Sequence, residues 1–449
     1  MTIMRERVYF IGIGGIGVSA LARLYRNRGF LVSGSDIARS EITDTIKREG
    51  VHIFIGPHRA SHIAHGVTRV IYTAAAKPSN PELREARRRG IRTLSLAEAV
   101  GELTREFRTI AVTGSHGKST TTALIALVLI RGGLDPTVQI GTKLKEFKNT
   151  NARIGRSPYL VLEADEYRNK FLKYTPAIAV VTNIDREHLD FHPTMRAIEA
   201  AFSKFLLRVQ PSGTAVLNAD DHRLRRIAPR LRRARPDLGV TWYSLKNPAV
   251  RKIRKVIRIP GEHNVSNAAA AYAVGKLLRI PEKKIIAAIA AFRGAWRRFD
   301  YQGRFSGADV IADYAHHPTE IRATLQAARE KYPQRRIWCV FQPHHYERTR
   351  ALFPEFSAAF KDCDAAVLLD IYEVAGREHK QQNRNVSSEH LAQAITRHGT
   401  PALYFRNRNQ LGPFLKRWLK PQDVLLMMGA GDIWETTKEL MKSTGKWER

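Results

Sequence analysis

The strongest chemistry in the sequence lies at Thr113-Gly114-Ser115-His116-Gly117-Lys118-Ser119-Thr120, between the apolar run RTIAV and the helix-period run TTALIALVLI. A loop of this kind cradles phosphates. Its backbone N–H groups bind phosphate oxygens, Lys118 brings a point charge to the β and γ phosphates, and Ser119 offers a hydroxyl to Mg²⁺. Val112 stands where the full G-x-x-x-x-G-K-[ST] pattern has its first glycine, so the loop is a shortened variant. A nucleoside triphosphate with Mg²⁺ is the expected ligand.

A second phosphate-type loop opens the chain. Gly12-Ile13-Gly14-Gly15-Ile16-Gly17 matches G-x-G-x-x-G after the run RVYFI, and Asp36 follows at the end of FLVSGSD. The glycines admit a pyrophosphate to a helix N-terminus, and Asp36 is placed to accept a ribose hydroxyl. NAD, another nucleoside diphosphate, or a tight turn with no ligand all satisfy this pattern.

Acids gather after two further strands. Glu163, Asp165 and Glu166 end YLVLEADE, and Asp185, Glu187, His188 and Asp190 follow AIAVVTNI. Carboxylates and an imidazole beside a triphosphate point to a two-metal site. Taken singly, Asp185, Glu187 and Asp190 read as strand or helix caps, whereas Glu163 and His188 read as functional.

These loops need strands to hold them. RVYFIGIGG, RTIAVTGS, YLVLEADE, AIAVVTNI, RIWCVFQPH and DVLLMMGAG each run from Val- and Ile-rich residues into small, polar or acidic ones, and helix-period segments lie between them. That alternation predicts an α/β chain with parallel sheets, whose ligands collect at the carboxyl ends of the strands. The length of 449 residues leaves room for about two to four domains. One boundary is expected near Gly101 to Arg108, and another where GAWRRFDYQG breaks the pattern before ADVIADY.

Composition narrows the function classes. Two cysteines, Cys339 and Cys363, exclude a disulfide framework or a tetrathiolate metal site. The glycines after Arg7 break what would otherwise resemble a signal peptide, and no apolar run approaches the roughly 20 residues of a membrane span. A cytoplasmic protein with no membrane insertion is expected. With 74 Lys plus Arg against 42 Asp plus Glu, the formal charge of +32 calls for anionic partners. Basic and aromatic residues do not cluster as in a nucleic-acid-binding module, so a solvated basic surface is expected in place of a specific nucleic acid.

Over nearly the whole length the chain resembles the Mur ligase family. GIGGIGVSALA, GSD, TGSHGKST, EADE, NIDREHLD, GEHNVSNAAAA, DYAHHPTEI, FQPHHYERTR and GAGDI occur in that family's order. The resemblance implies three domains: residues 1–106 for a UDP-sugar, 107–296 as a P-loop ATPase, and a Rossmann-like 297–449 for an amino acid. It implies that Gly14, Gly15, Ile16 and Gly17 hold the UDP pyrophosphate, with Ser35 and Asp36 near the uridine. The implied reaction joins L-alanine to the lactoyl carboxylate of UDP-N-acetylmuramate through an acyl phosphate, using ATP and Mg²⁺. Lys118, Glu163 and His188 would be catalytic, and Ser119, Glu163 and His188 would hold metal. Beyond the loop Gly114–Thr120, the ATP side would take His263, Asn264, Asn267 and Arg298, with Arg297 a competitor for the last.

By the same resemblance, Tyr314, His316, His345 and Arg348 line the amino-acid site, together with Asp313 and His317. Here the chain departs from the family's pattern, which places arginine where this sequence has His345. GSHGKST replaces GTHGKTT, and EADEY replaces EADESD. EADEY also occurs in the ligase that recycles murein tripeptide, so that acceptor, or another small amino acid, is the alternative substrate. Several family members carry a carbamylated lysine, for which Lys204 is the one weak candidate. The sequence leaves the oligomeric state open.

Overall fold

The computed structural model describes residues 6–373 and 385–443, so the outer ends of the first and last expected domains fall outside the described residues. The chain forms two compact units. The first runs through Asp185 and takes in Arg196–Asn247 and Ala268–Ile289; the second takes Arg186–Met195, Pro248–Asn267 and the chain from Ala290 onward.

The first unit carries two sheets. A five-stranded parallel sheet has the spatial order His52–Ile55, Leu31–Asp36, Arg7–Ile11, Val67–Tyr72, Arg92–Ser95. The order reverses about Arg7–Ile11, whose carboxyl end feeds the glycine loop and the helix Ile16–Asn27. A seven-stranded sheet follows the order Gly239–Tyr243, Thr214–Asn218, Ile178–Val181, Arg108–Thr113, Tyr159–Glu163, Thr137–Leu144, Thr150–Arg153, and only the last pair is antiparallel. Its central strands Arg108–Thr113 and Tyr159–Glu163 end in the phosphate loop and in the acidic EADE segment. Both chemistries therefore emerge at the same edge.

The second unit is built on a six-stranded sheet ordered Asp300–Phe305, Ala308–Asp313, Val424–Met428, Ile337–Phe341, Ala365–Leu369, Ala402–Phe405. Every residue of Ile337–Phe341 and Val424–Met428 is buried, as expected of strands covered on both faces. Burial of each such side chain is worth roughly 1.5–3 kcal/mol. The edge strand Asp300–Phe305 was not expected from the sequence. It pairs antiparallel with Ala308–Asp313 through a bulge between Tyr301 and Gly303, and its half-exposed residues spell no apolar run.

Local signals set the helix starts. Ser95 and Glu98 cap each other's backbone at Leu96–Glu106, and His317 caps Pro318–Lys331, with proline in the first turn and Glu320 closing the box. The basic helix His222–Ala234 turns Leu224, Ile227, Ala228 and Leu231 inward, leaving Arg225, Arg230, Arg232 and Arg233 exposed. It presents a solvated cationic face. Among the described residues no helix is long and apolar enough to cross a membrane.

Candidate active site

In the first unit the phosphate loop is a tight knot of hydrogen bonds. Gly114 sits at φ +134°, and a Cβ there would drive into Thr182 and the backbone N of Asn183. Only glycine lets the loop lie this close to the neighbouring strand end. Ser115 N donates to the Asn183 carbonyl at 3.0 Å, and His116 N donates to Asn183 Oδ1 at 2.9 Å. Asn183 Nδ2 and Thr182 Oγ1 both donate back to the His116 carbonyl. The ring of His116 meets Asp185 Oδ2 at 3.0 Å, and Asp185 N donates to Ser115 Oγ. Asp185 thus locks the loop, a role that its reading as a cap did not foresee.

Lys118 lies at the start of the helix Lys118–Gly132, which follows Gly117 in the left-handed conformation. Its Nζ donates to the carbonyls of Gly114 and Ser115 and to Glu166 Oε1 at 2.9 Å. Burial disfavours the ammonium, but Glu166, Asp165 and Glu163 outweigh it and hold the Lys118 pKa above its ordinary value. Ser119 Oγ donates to Glu163 Oε1 at 2.9 Å, and Gly141 N donates to Glu163 Oε2 at 2.7 Å. A hydroxyl and a carboxylate at this separation make an all-oxygen pair suited to a hard divalent cation, so these two residues fit the magnesium that the sequence implies. Lys204 is exposed on the helix Met195–Leu206.

The glycine-rich loop of the first unit is tied to the strand beside it. Gly12 N and Ile13 N donate to the Ser35 carbonyl at 2.8 and 3.0 Å, and Gly14 N donates to Asp36 Oδ2 at 2.8 Å. The Ile16 carbonyl accepts from Ser19 Oγ and Asn151 Nδ2, and the Gly17 carbonyl accepts from Gln139 Nε2. Gly15 caps the helix Ile16–Asn27. Ser35 is fully buried and gives its hydroxyl to Glu82, a residue that no motif had marked.

In the second unit a cavity of about 310 Å³ is lined by Arg186, His188, Asp190, His344, His345 and Arg348, among others. Arg348 Nη2 donates to Glu187 Oε1 at 2.5 Å, and Nη1 donates to the His344 carbonyl at 3.1 Å. Glu187 is buried. Burial alone would raise its pKa, but Arg348 and then His188, His317 and His316 hold the carboxyl well below the ordinary range. His188 stands beside it, Nδ1 to Oε1 3.9 Å, with its backbone at φ +55°. His345 is buried at φ +78°, a conformation that costs a non-glycine residue of order 1–3 kcal/mol and persists where the surroundings impose it. The rings of Tyr314, His316, His344 and Tyr372 form a row with centroids 5.3 to 5.8 Å apart.

His317 serves as the helix cap, its Nδ1 accepting from Thr319 N and its Nε2 meeting the Arg186 carbonyl at 3.1 Å. Asp313 accepts from the backbone of Phe299 and Ala315, and its burial pushes the carboxyl pKa up. Arg297 is buried, with Nη2 on the Gly429 carbonyl and its guanidinium over Tyr314, Trp296 and Trp434. Arg298 also lies over Tyr314, 5.0 Å from the ring centroid, and is a charged neighbour of His263. At the start of the helix Glu262–Leu277, Asn264 and Asn267 are buried and linked at 3.4 Å, and Asn264 donates to the Pro260 carbonyl.

Three family descriptions match in order along the chain: "Mur ligase family, catalytic domain" over residues 7–108, "Mur ligase middle domain" over 112–275, and "Mur ligase, glutamate ligase domain" over 297–431. A protein of Desulfosudis oleivorans named UDP-N-acetylmuramate–L-alanine ligase is 41% identical over 98% of this chain and 99% of its own. The chain belongs to the Mur ligase family. A relative of the same name from Sorangium cellulosum is 42% identical over 95% of this chain and 94% of its own. The crystal structure of UDP-N-acetylmuramate-alanine ligase from Thermotoga maritima superposes with a TM-score of 0.80 at 26% identity, covering 98% of this chain and all of that one. A murein peptide ligase from Psychrobacter arcticus shares the fold, with a TM-score of 0.70 at 22% identity, covering 99% of this chain and all of that one.

Mur ligases are ATP-dependent, and the geometry around Lys118 suits that. Within the first unit the residues expected at the phosphates, Gly114 to Thr120 and Glu163, come together. Within the second, His188, His345 and Arg348 meet at one cavity, with His316 edge-on to its lining His344. Thr182, Asn183, Asp185, Glu166 and Glu187 complete these two clusters. Their signal was position: each lies at, or within a few residues of, the carboxyl end of an expected strand.

Proposed function

We propose that this Mur ligase joins L-alanine to the lactoyl carboxylate of UDP-N-acetylmuramate, driven by ATP, in peptidoglycan precursor synthesis. The carboxylate attacks the γ-phosphate to give an acyl phosphate and ADP; the alanine amine then attacks the carbonyl and phosphate leaves. The observation that carries this reading is the head of the phosphate loop, where Lys118 Nζ donates to Glu166 and the next residue, Ser119, donates to Glu163. It is supported by relatives about 40% identical over almost the full chain that bear this name.

In this reading residues 1–106, 107–296 and 297–449 form the UDP-sugar, ATPase and amino-acid domains. Lys118 stabilises charge on the transferred phosphoryl group. Ser119 and Glu163 would hold one Mg²⁺ and His188 would help hold another, and the ions would offset phosphate charge. Gly14, Gly15, Ile16 and Gly17 receive the UDP pyrophosphate, with Ser35 and Asp36 on the uridine side. His263, Asn264, Asn267 and Arg298 serve the nucleotide of ATP. Arg348, with Tyr314, His316 and His345, orients the amino acid, its guanidinium facing the alanine carboxylate. The protein works in the cytoplasm without membrane insertion or a specific nucleic acid, and any nonspecific binding of nucleic acid falls away with modest salt.

Tyr167 is what brought murein tripeptide into view as the alternative acceptor. It is buried, its N–H donates to Asp165 Oδ1, and its ring packs under Arg168 and Lys170. The names of the full-length relatives favour alanine. The test is phosphate release from ATP with UDP-N-acetylmuramate and a panel of alanine, glycine, serine and murein tripeptide. Alanine should give the highest kcat/KM, and release that is equal with or without UDP-N-acetylmuramate would refute the reading.

A further inference from the structure

Glu82 is a carboxylate with a fully buried side chain in the first turn of the helix Pro81–Arg88, where the helix dipole favours negative charge. It accepts four hydrogen bonds from three separate places in the chain. Oε1 takes Tyr9 Oη at 3.0 Å and His62 Nδ1 at 2.7 Å; Oε2 takes Ser35 Oγ at 2.7 Å and His58 Nδ1 at 2.9 Å. Burial, with the Glu82 charge adding to it, keeps the Tyr9 phenol protonated and therefore a donor. A carboxylate can only accept, so both imidazoles must carry their proton on Nδ1. In the neutral rings Nε2 is then a lone-pair acceptor.

The two histidines differ in what surrounds them. His62 is stacked on Phe54, with ring centroids 4.2 Å apart and planes 2° apart. His58 lies just past the carboxyl end of the strand His52–Ile55, and its Nδ1 is 3.1 Å from Ser35 Oγ. The next residue, Asp36, accepts from Gly14 N in the glycine loop. His58 is half-buried, and among the described residues its Nε2 has no hydrogen-bond partner. Ligands of open parallel sheets bind beyond these strand ends. Uridine offers donors there: two ribose hydroxyls and the N3–H of the base.

Resting on the reading of the glycine loop as the UDP-sugar site, we propose that Glu82 is a positioning residue that fixes His58 with Nε2 as a hydrogen-bond acceptor for the uridine of UDP-N-acetylmuramate. Loss of one such bond is worth about a five- to tenfold change in affinity.

The test compares His58→Ala, His58→Gln, His62→Ala and Glu82→Gln in steady-state turnover, with thermal unfolding as the check on folding. His58→Ala should raise KM for UDP-N-acetylmuramate about five- to tenfold while KM for ATP and kcat hold. His58→Gln, which keeps an acceptor, should recover part of the loss. His62→Ala should lower the unfolding temperature without moving that KM, and Glu82→Gln should raise it with His58 intact. Inhibition of the wild-type enzyme by UDP, 2′-deoxy-UDP, 3′-deoxy-UDP and CDP needs no variant. Weaker inhibition by either deoxy analogue points to that ribose hydroxyl and weaker CDP to N3–H, and each is a form of the proposal. Equal inhibition by all four, an unchanged KM in His58→Ala, or an equal rise in His62→Ala would overturn it. Wild-type turnover with UDP-N-acetylmuramate is scored separately, so failure of the substrate assignment is not mistaken for failure of the His58 role.

Discussion

Glu187 and Arg348 form a buried ion pair at 2.5 Å between residues 161 apart in sequence, and Glu187 is only 6% exposed. Removing one partner of such a pair strands the other charge and costs about 3–5 kcal/mol. Glu187→Gln should therefore lower stability by about that much at pH 7. The folded carboxyl titrates below its ordinary value. Its stabilising contribution is complete above the unfolded carboxylate pKa of about 4.3 and disappears as pH falls through the lower folded value. Denaturant titrations should show the gap between wild type and Glu187→Gln closing as pH drops below about 4. A gap independent of pH would mean that the pair is not ionic.

Lys118→Ala should reduce kcat for ATP-dependent phosphate release by at least about 100-fold, the scale of removing a group that stabilises transition-state charge. The variant also leaves the buried Glu166 without its cation, so some loss of unfolding temperature is expected. Because Lys118 titrates above its ordinary value, wild-type activity should show no loss from this group as pH rises towards 10. Phosphate release measured across pH, beside circular dichroism of the variant, checks both points. Wild-type turnover by a folded Lys118→Ala would contradict the role given to the loop.

How much of this was legible in the sequence depended on burial and on local geometry. Ile337–Phe341 could be read as a strand because all five residues are buried, which forces an apolar run. The phosphate loop could be read because its tight turn admits only glycine at 114. Asp300–Phe305 could not, since an edge strand with polar residues on its open face carries neither signal. Glu187 was legible as an acid near a strand end but not as the partner of Arg348, because sequence spacing carries no information about a contact made by the fold. Glu82 was invisible for the same reason, its donors Tyr9, Ser35, His58 and His62 arriving from separate segments. Arg297 and Arg298 read alike in the sequence, because their difference in burial is made by the fold.

Gly141 gives a way to move Glu163 without altering it. A Cβ at this position would stand 2.8 to 3.0 Å from the Glu163 carboxylate, which accepts the Gly141 N–H. Gly141→Ala should displace that carboxylate and raise the Mg²⁺ concentration for half-maximal turnover several-fold, while circular dichroism stays native. Glu163→Ala should lose activity that added Mg²⁺ restores only in part. A Mg²⁺ titration identical to wild type in both variants would remove Glu163 from the metal site.

Arg297 and Arg298 are adjacent, yet their surroundings differ. Arg297 donates to the Gly429 carbonyl at 2.5 Å within a cage of Trp296, Tyr314 and Trp434, and burial lowers its pKa to about 10. Lysine has no planar fork to fill that cage, so Arg297→Lys should destabilise the protein by about 1–3 kcal/mol, chiefly through the unmet Gly429 carbonyl, with KM for ATP unchanged. Arg298 is only partly buried and is a charged neighbour of His263. Arg298→Ala should leave the unfolding temperature within a degree or two and raise KM for ATP roughly tenfold, the loss of one charge-assisted contact. Thermal unfolding and ATP saturation curves on the two variants separate these outcomes, because a structural Arg298 would move the first and a nucleotide-binding Arg297 the second.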